Sequence, residues 1–322
     1  MDMQLADLSR DVQREAIRAG FGRGLLAVGQ DERIVGVCAD LTDSTHMGDF
    51  ARKYPERFIQ IGVAEQNLVT VGSGLAAQGQ IPFVSSYAAF APGRCWEQIR
   101  TTICLNDQPV KIVGSHAGVS VGPDGATHQM LEDIAIMRVL PNMAVIAPCD
   151  AVEAEKATRA MAIDKRPNYI RLAREATPIV TTTDTPFEIG KAYVYRPGND
   201  VSIITTGTMT YHALVAAAKL AENGISAEVV HVPTIKPLDT ETILNSVDKT
   251  RCAVTAEEGQ MAGGLGSVIT ELVCTELPVP VERIGMQDRF GESGNPDELL
   301  AYFGLDAEHI QQAAFAVLGK KP

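Results

Sequence analysis

"FIQIGVAEQNL" (58–68) decides the fold class. Phe58, Ile59, Gln60, Ile61 and Gly62 read as a short buried strand, and Val63 onward reads as a helix start. Glu65 falls in the first turn of that helix, among apolar neighbours. A carboxylate there can serve the helix dipole, worth ~0.3–1 kcal/mol. It can also be the acid of a reaction, and its neighbours along the chain bear on which.

The same alternation of strand and helix repeats outward from this stretch. Strands are expected at 33–40, 57–62, 81–88, 110–116, 143–149 and 167–173, and helices at 8–29, 63–78, 92–106, 128–138 and 151–164. Strands apolar on both faces that alternate with helices form a parallel, doubly wound sheet. "EATPIVTTTDTPFEIG" (175–190) then breaks the pattern; it is rich in Thr and Pro and has no helical period. It reads as an edge segment plus an interdomain linker. A second α/β set follows, with strands at 200–207, 226–233, 251–258 and 279–286. Its helices are expected near 209–223, 240–248, 263–276, 296–303 and 307–318. The expected division is a first domain at 1–178, a linker at 179–190 and a smaller second domain at 191–322.

Bulk composition agrees with two packed domains. The chain has 322 residues, 45% hydrophobic and 21% charged, so disorder is not expected. A net charge of -12 without a basic run argues against nucleic acid or an anionic membrane as the main partner. No apolar window is long enough for a membrane span, and "MDMQLADLSRDVQ" lacks the pattern of a signal peptide. The six cysteines are scattered without a C-x-x-C pair, which suits buried thiols in a reducing cytoplasm and gives no clustered zinc ligands.

Ligands of open parallel sheets gather beyond the C-terminal ends of the strands. Those ends carry Asp40, Gly62 to Glu65, Tyr87 to Phe90, "SHAGVSVGPDGATHQ" (115–129) and "RLAR" (171–174). Carboxylates, histidines, aromatics and arginines together make this mouth too polar for packing alone. "ADLTDST" (39–45), "ERFIQIGVAEQN" (56–67), "GPDGATHQMLEDIAIMRVLPNM" (122–143), "AGGLG" (262–266) and "DRFGESG" (288–294) carry a resemblance. Over essentially its whole length the chain resembles the C-terminal half of a transketolase. That half comprises a pyrimidine-binding domain and a smaller C-terminal domain, and the family depends on thiamine diphosphate and a divalent metal.

The diphosphate and metal of such enzymes are held by a G-D-G followed by an Asn, and no G-D-G occurs here. The resemblance therefore implies a split enzyme. A separate N-terminal subunit would hold the diphosphate with its Mg or Ca, and this chain would hold no metal. By the same analogy the chain pairs across a two-fold in an α2β2 assembly.

The resemblance places Glu65 at the glutamate that meets the aminopyrimidine, where the chemistry calls for a carboxyl group sharing a proton in an apolar site. Tyr87 and Phe90 match the aromatics of the pyrimidine pocket, and Asp40 an acid at the cofactor's edge. His128 would lie near the reacting hydroxyls of the sugar, Asp124 at a hydroxyl that sets stereochemical preference, and His116 toward the phosphate end. Histidine suits proton transfer near neutrality. Arg18, Ser44 and Arg174 match phosphate contacts, where guanidinium forks grip well. "SRDVQREAIRAGFGRG" also offers Arg10, Arg14 and Arg23 for the first of these.

Some residues depart from the family pattern. Transketolases usually read R-E-H where this chain has Ala64-Glu65-Gln66, and a further family aromatic falls at Gly93. Glu257-Glu258-Gly259 stands where many relatives have E-E-H, and the second domain presents no reactive constellation. The expected activity is transfer of a two-carbon ketol unit from a ketose phosphate to an aldose phosphate. Rival readings are a deoxyxylulose-phosphate synthase-like chain, a 2-oxo acid dehydrogenase beta subunit, a non-catalytic scaffold, or a module that binds thiamine by itself.

Overall fold

Seven strands build the first sheet of the computed structural model, which describes residues 3–8 and 12–321. Their order is Thr234–Lys236, Ala144–Ile146, Asn168–Arg171, Lys111–Ser115, Ile81–Tyr87, Ile34–Cys38 and Phe58–Gln60. All run parallel except the first. Every residue of "IVGVC" (34–38) and "KIVGS" (111–115) is buried, as strands covered on both faces require. The covering helices include Ile17–Val28, Glu65–Ala77 and Ala151–Ile163. Two of them touch at Gly20, where a Cβ would lie 1.8 Å from the Ala151 carbonyl oxygen, so only glycine permits that approach. Phe21, Phe50, Phe83 and Tyr169 are fully buried in this domain, each worth roughly 1.5–3 kcal/mol of apolar burial.

The second sheet has five strands, in the order Val281–Met286, Ala253–Gln260, Val201–Thr205, Ala227–His231 and Tyr193–Arg196. The last is antiparallel and the rest are parallel. The fold is thus α/β with two doubly wound units, as expected.

Four local expectations differ. The helix expected over 8–29 starts only at Ile17, because Arg14–Ala16 pairs antiparallel with Ala176–Pro178; part of the expected helix, residues 9–11, lies outside the described residues. The stretch 92–106 is helical only over 96–104 and ends in a wide π turn, Ile99–Cys104. The helix expected from 128 begins at Asp133, since Met130 is held by a bridge to Ala117. Tyr193–Arg196 and Thr234–Lys236 are strands where none was expected.

The strand Thr234–Lys236 belongs by sequence to the second set, yet it forms the edge of the first sheet and pairs with Ala144–Ile146. A buried ion pair reinforces the seam: Arg171 Nε donates to Asp133 Oδ2 at 2.8 Å, and its Nη2 donates to the Glu258 carbonyl at 2.6 Å. Cys149, Glu153 and His231 also meet there, although nothing in their spacing predicts it, with donor atoms within 4.8 Å of one another. His231 Nε2 bonds Glu153 at 2.8 Å, its Nδ1 bonds Thr210 at 2.9 Å, and Glu153 accepts the Cys149 N–H at 2.7 Å. Of these bonds, the one between His231 and Glu153 ties the domains together. No helix of the described residues is long and apolar enough to cross a membrane.

Candidate active site

Glu65 is the first residue of the helix Glu65–Ala77 and is 2% exposed. Its two oxygens have different partners. Arg94 Nη1 donates to Oε2 at 2.9 Å, and Ser86 Oγ reaches Oε1 at 3.4 Å, near the limit for such a bond. The resemblance led us to expect an apolar site, and the surroundings differ from that: a guanidinium faces the carboxyl. The Arg94 guanidinium also lies over the Phe90 ring, 4.6 Å from its centre, a cation–π arrangement. Sequence reasoning missed Arg94. The local signal was its place four residues after Phe90, since its N–H donates to the Phe90 carbonyl at 3.0 Å. The groove here is open, about 440 Å³, and lined by Val63, Ala64, Glu65, Gln66, Asn67, Thr70, Arg94 and Gln98. Val63, an apolar side chain on its rim, is 72% exposed.

Tyr87 closes the strand Ile81–Tyr87, and the Phe90 N–H donates back to the Tyr87 carbonyl at 2.8 Å. This turn sets the two rings side by side, centres 6.2 Å apart. Two histidines join them. His116 follows the strand Lys111–Ser115 at φ +59° and stacks on Tyr87 at 3.8 Å. His128 meets the edges of Phe90 at 5.3 Å and Tyr87 at 6.1 Å. Their ring nitrogens are steered by neighbours: Ser115 Oγ lies 2.9 Å from His116 Nδ1, and Thr127 Oγ1 lies 2.9 Å from His128 Nδ1.

The basic end of the cluster is built on Ser44. Ser44 Oγ shares a 2.7 Å hydrogen bond with the Tyr87 hydroxyl and lies 3.5 Å from His116 Nε2. Arg18 donates to the Ser44 carbonyl and, at 3.1 Å, to the Arg174 carbonyl. Arg174 donates to the Val121 carbonyl at 2.9 Å and pairs with Glu175 at 3.1 Å. Of the alternative arginines, Arg14 donates to the Ala176 carbonyl, Arg23 pairs with Glu15 and Glu155, and Arg10 lies outside the described residues. Burial, then the neighbouring Arg174 cation, lowers the Arg18 guanidinium below its ordinary range. Burial, then Arg18 and Arg174, pushes the His116 imidazole down to about 3. His116 is therefore a neutral hydrogen-bonding ring at physiological pH, not a cation. The expectation of proton transfer near neutrality does not extend to it.

Arg18, Ser44, Tyr87, Phe90, His116, His128 and Arg174 thus form one continuous cluster, linked to Glu65 through Arg94. Asp40 and Asp124 are exposed, and among the described residues neither carboxylate has a hydrogen-bond partner. Asp40 sits at φ +61° just past the strand Ile34–Cys38, a conformation that Asp tolerates better than most residues, with its N–H donating to Gln60 Oε1 at 3.1 Å.

Comparison with known proteins matches residues 15–180 to the transketolase pyrimidine binding domain and residues 190–310 to the transketolase C-terminal domain. The chain is 45% identical to the putative transketolase C-terminal section of Methanocaldococcus jannaschii, over 95% of this chain and 98% of that one. It is 41% identical to a 6-deoxy-6-sulfo-D-fructose transketolase subunit, SqwH, of Clostridium sp., covering 91% of each. Among solved structures, a split-gene transketolase described as an inactive β4 tetramer superposes with a TM-score of 0.90. That structure is 44% identical, with 95% of this chain and 99% of the other covered.

Proposed function

Because the chain belongs to the transketolase family as the C-terminal subunit of a split enzyme, we propose that it carries the pyrimidine half of a ketol-transfer site. The reaction moves a two-carbon unit from a ketose phosphate to an aldose phosphate. A separate N-terminal subunit completes the site. We further propose the division into 1–178, a linker at 179–190, and 191–322, a two-fold α2β2 assembly, and a cytoplasmic setting that suits six free cysteines.

The single observation that carries this reading is Glu65: a carboxyl group 2% exposed, at the edge of an open groove, with one oxygen on only a 3.4 Å contact. Its partner Arg94 covers the Phe90 ring, and the apolar Val63 lines the same groove. This combination suits a planar heterocycle that needs stacking and one carboxyl hydrogen bond. The absence of a G-D-G from the sequence supports assigning Mg or Ca and the diphosphate to the partner. Thiamine diphosphate, when bound, supplies the carbon nucleophile that amino acids lack.

The chain's own groups do the rest. Glu65 offers its less engaged carboxyl oxygen for a hydrogen bond with a pyrimidine nitrogen, with Arg94 fixing the orientation of the other oxygen. Phe90 and Tyr87 flank the ring. Asp40 sits at the cofactor's edge. His128 moves a proton at a reacting sugar hydroxyl, and Asp124 reads a neighbouring hydroxyl. His116, held neutral, offers a hydrogen bond. Arg18 and Arg174 are neighbouring cations whose repulsion a bound phosphate relieves, with Ser44 alongside.

A relative named for a sulfonated ketose favours a second reading at the level of the sugar: this basic end can take a sulfonate as readily as a phosphate. The test is to purify the chain with the product of the neighbouring gene. Ketol transfer is then assayed with a panel of phosphorylated and sulfonated ketoses, alongside pyruvate decarboxylation and Glu65→Gln. Ketol transfer lost in the variant supports the reading. Pyruvate decarboxylation without ketol transfer points instead to a synthase or dehydrogenase.

A further inference from the structure

The second domain grips the loop that bears Asp124 and His128. The grip centres on Glu258, in the strand Ala253–Gln260 and 2% exposed. Its Oε1 accepts the Ser120 N–H at 2.8 Å, and its Oε2 accepts the Thr208 hydroxyl at 2.7 Å. One oxygen thus holds the loop and the other holds the second domain. Gly118 stands at φ +91°, and a Cβ there would fall 2.1 Å from Glu258 Oε1. The carboxyl therefore comes against the loop backbone at a point where no side chain fits.

A second contact braces the far end of the same loop. Gln129 Nε2 donates to the Val119, Gly122 and Glu292 carbonyls at 3.1, 3.3 and 2.8 Å, binding the loop to itself and to the segment 288–296. Gly122 and Gly125, both at positive φ, pack so closely on Pro296 and Ser293 that a Cβ would lie 2.9 and 2.5 Å from them. From its own domain the loop is held at the Val121 carbonyl by Arg174. Between these restraints lie Asp124 and His128, two of the residues assigned to the sugar.

We propose that Glu258 is a positioning residue for the sugar: by holding the Ser120 backbone to the second domain, it fixes the loop Gly118–His128 against the Tyr87–Phe90 wall. The second domain then acts on substrate geometry and leaves the cofactor contacts alone, since Glu65, Phe90 and Arg94 make none of these bonds. This inference rests on the reading that the loop meets the sugar.

The test uses the assembled two-subunit enzyme with xylulose 5-phosphate and ribose 5-phosphate as probes. Glu258→Ala raises KM for both by about tenfold, the scale of one lost buried hydrogen bond. In that variant kcat and the dissociation constant for thiamine diphosphate stay near the parent, and amide exchange speeds up at Ser120 and across 118–128. Glu258→Gln, which keeps an acceptor for the Ser120 N–H, recovers most of the KM. Thr208→Val removes only the anchoring hydroxyl and moves KM and exchange in the same direction by a smaller factor; it decides the matter if Glu258→Ala does not fold. Unchanged KM and exchange in the variants, or cofactor affinity falling in step with KM, overturns the proposal. If the parental pair transfers no ketol group from these probes or from any other phosphorylated or sulfonated ketose, the functional reading fails instead, and the exchange measurement still decides whether Glu258 holds the loop.

Discussion

Glu65 in the first domain and Glu258 in the second are equally buried, at 2% exposure, the one opening a helix and the other lying within a strand. They differ in what their oxygens face. Glu258 has a backbone N–H at 2.8 Å and a hydroxyl at 2.7 Å, so both oxygens are satisfied inside the protein. Glu65 has a strong bond to Arg94 on one oxygen and a long one on the other, beside an open groove. Of these two, Glu65 is the one fitted to chemistry, because it combines a long bond on one oxygen with an open groove from which a ligand can supply a better partner.

The strongest way to break this contrast is Glu65→Gln in the assembled enzyme. Ketol transfer falls by about a hundred- to ten-thousand-fold, the scale of lost acid–base catalysis, while thermal unfolding barely moves. Loss of folding in step with activity would make Glu65 a second Glu258. The converse probe is Arg171→Leu, which leaves Asp133 buried without its cation. Urea unfolding should show a loss of about 3–5 kcal/mol, the cost of an uncompensated buried charge.

How much of this was legible in the sequence depended on how local the cause was. Runs such as "IVGVC" announce buried parallel strands because a β-branched, doubly apolar run has few other uses. Arg14–Ala16 was read as helix because "REA" favours helix, and its strand pairing is with Ala176–Pro178, more than a hundred residues away. Thr234–Lys236 is three residues long, and its sheet belongs to the other domain. The same limit governs the site. Tyr87, Phe90 and the histidine loop could be picked out from short motifs. The spacing of Arg94 from Phe90 is local, but its pairing with Glu65 spans 29 residues and the Glu258–Ser120 bond spans 138, so neither pairing leaves a local pattern.

Two smaller effects sharpen the contrast further. The folded His116 takes up a proton only near pH 3, whereas an unfolded histidine does so near 6.5. Its contribution to stability is therefore complete above pH 6.5 and shrinks as the pH falls toward 3. In His116→Gln, the stability lost between pH 7 and pH 5 should be less than in the parent by on the order of 2 kcal/mol. An unchanged pH dependence would place the ring in a far more hydrated setting. Phe90→Leu keeps the apolar volume and loses the stacking face, worth ~0.5–1.5 kcal/mol. Thiamine diphosphate should then bind the assembled enzyme two- to tenfold more weakly by calorimetry.

The central claim is that this chain holds half of a site. Calorimetric titration of thiamine diphosphate, with magnesium present, tests it directly on the chain alone, on the N-terminal subunit alone and on the mixture. The account predicts tight, saturable binding only in the mixture. Tight binding by the isolated chain, without partner or metal, would contradict it.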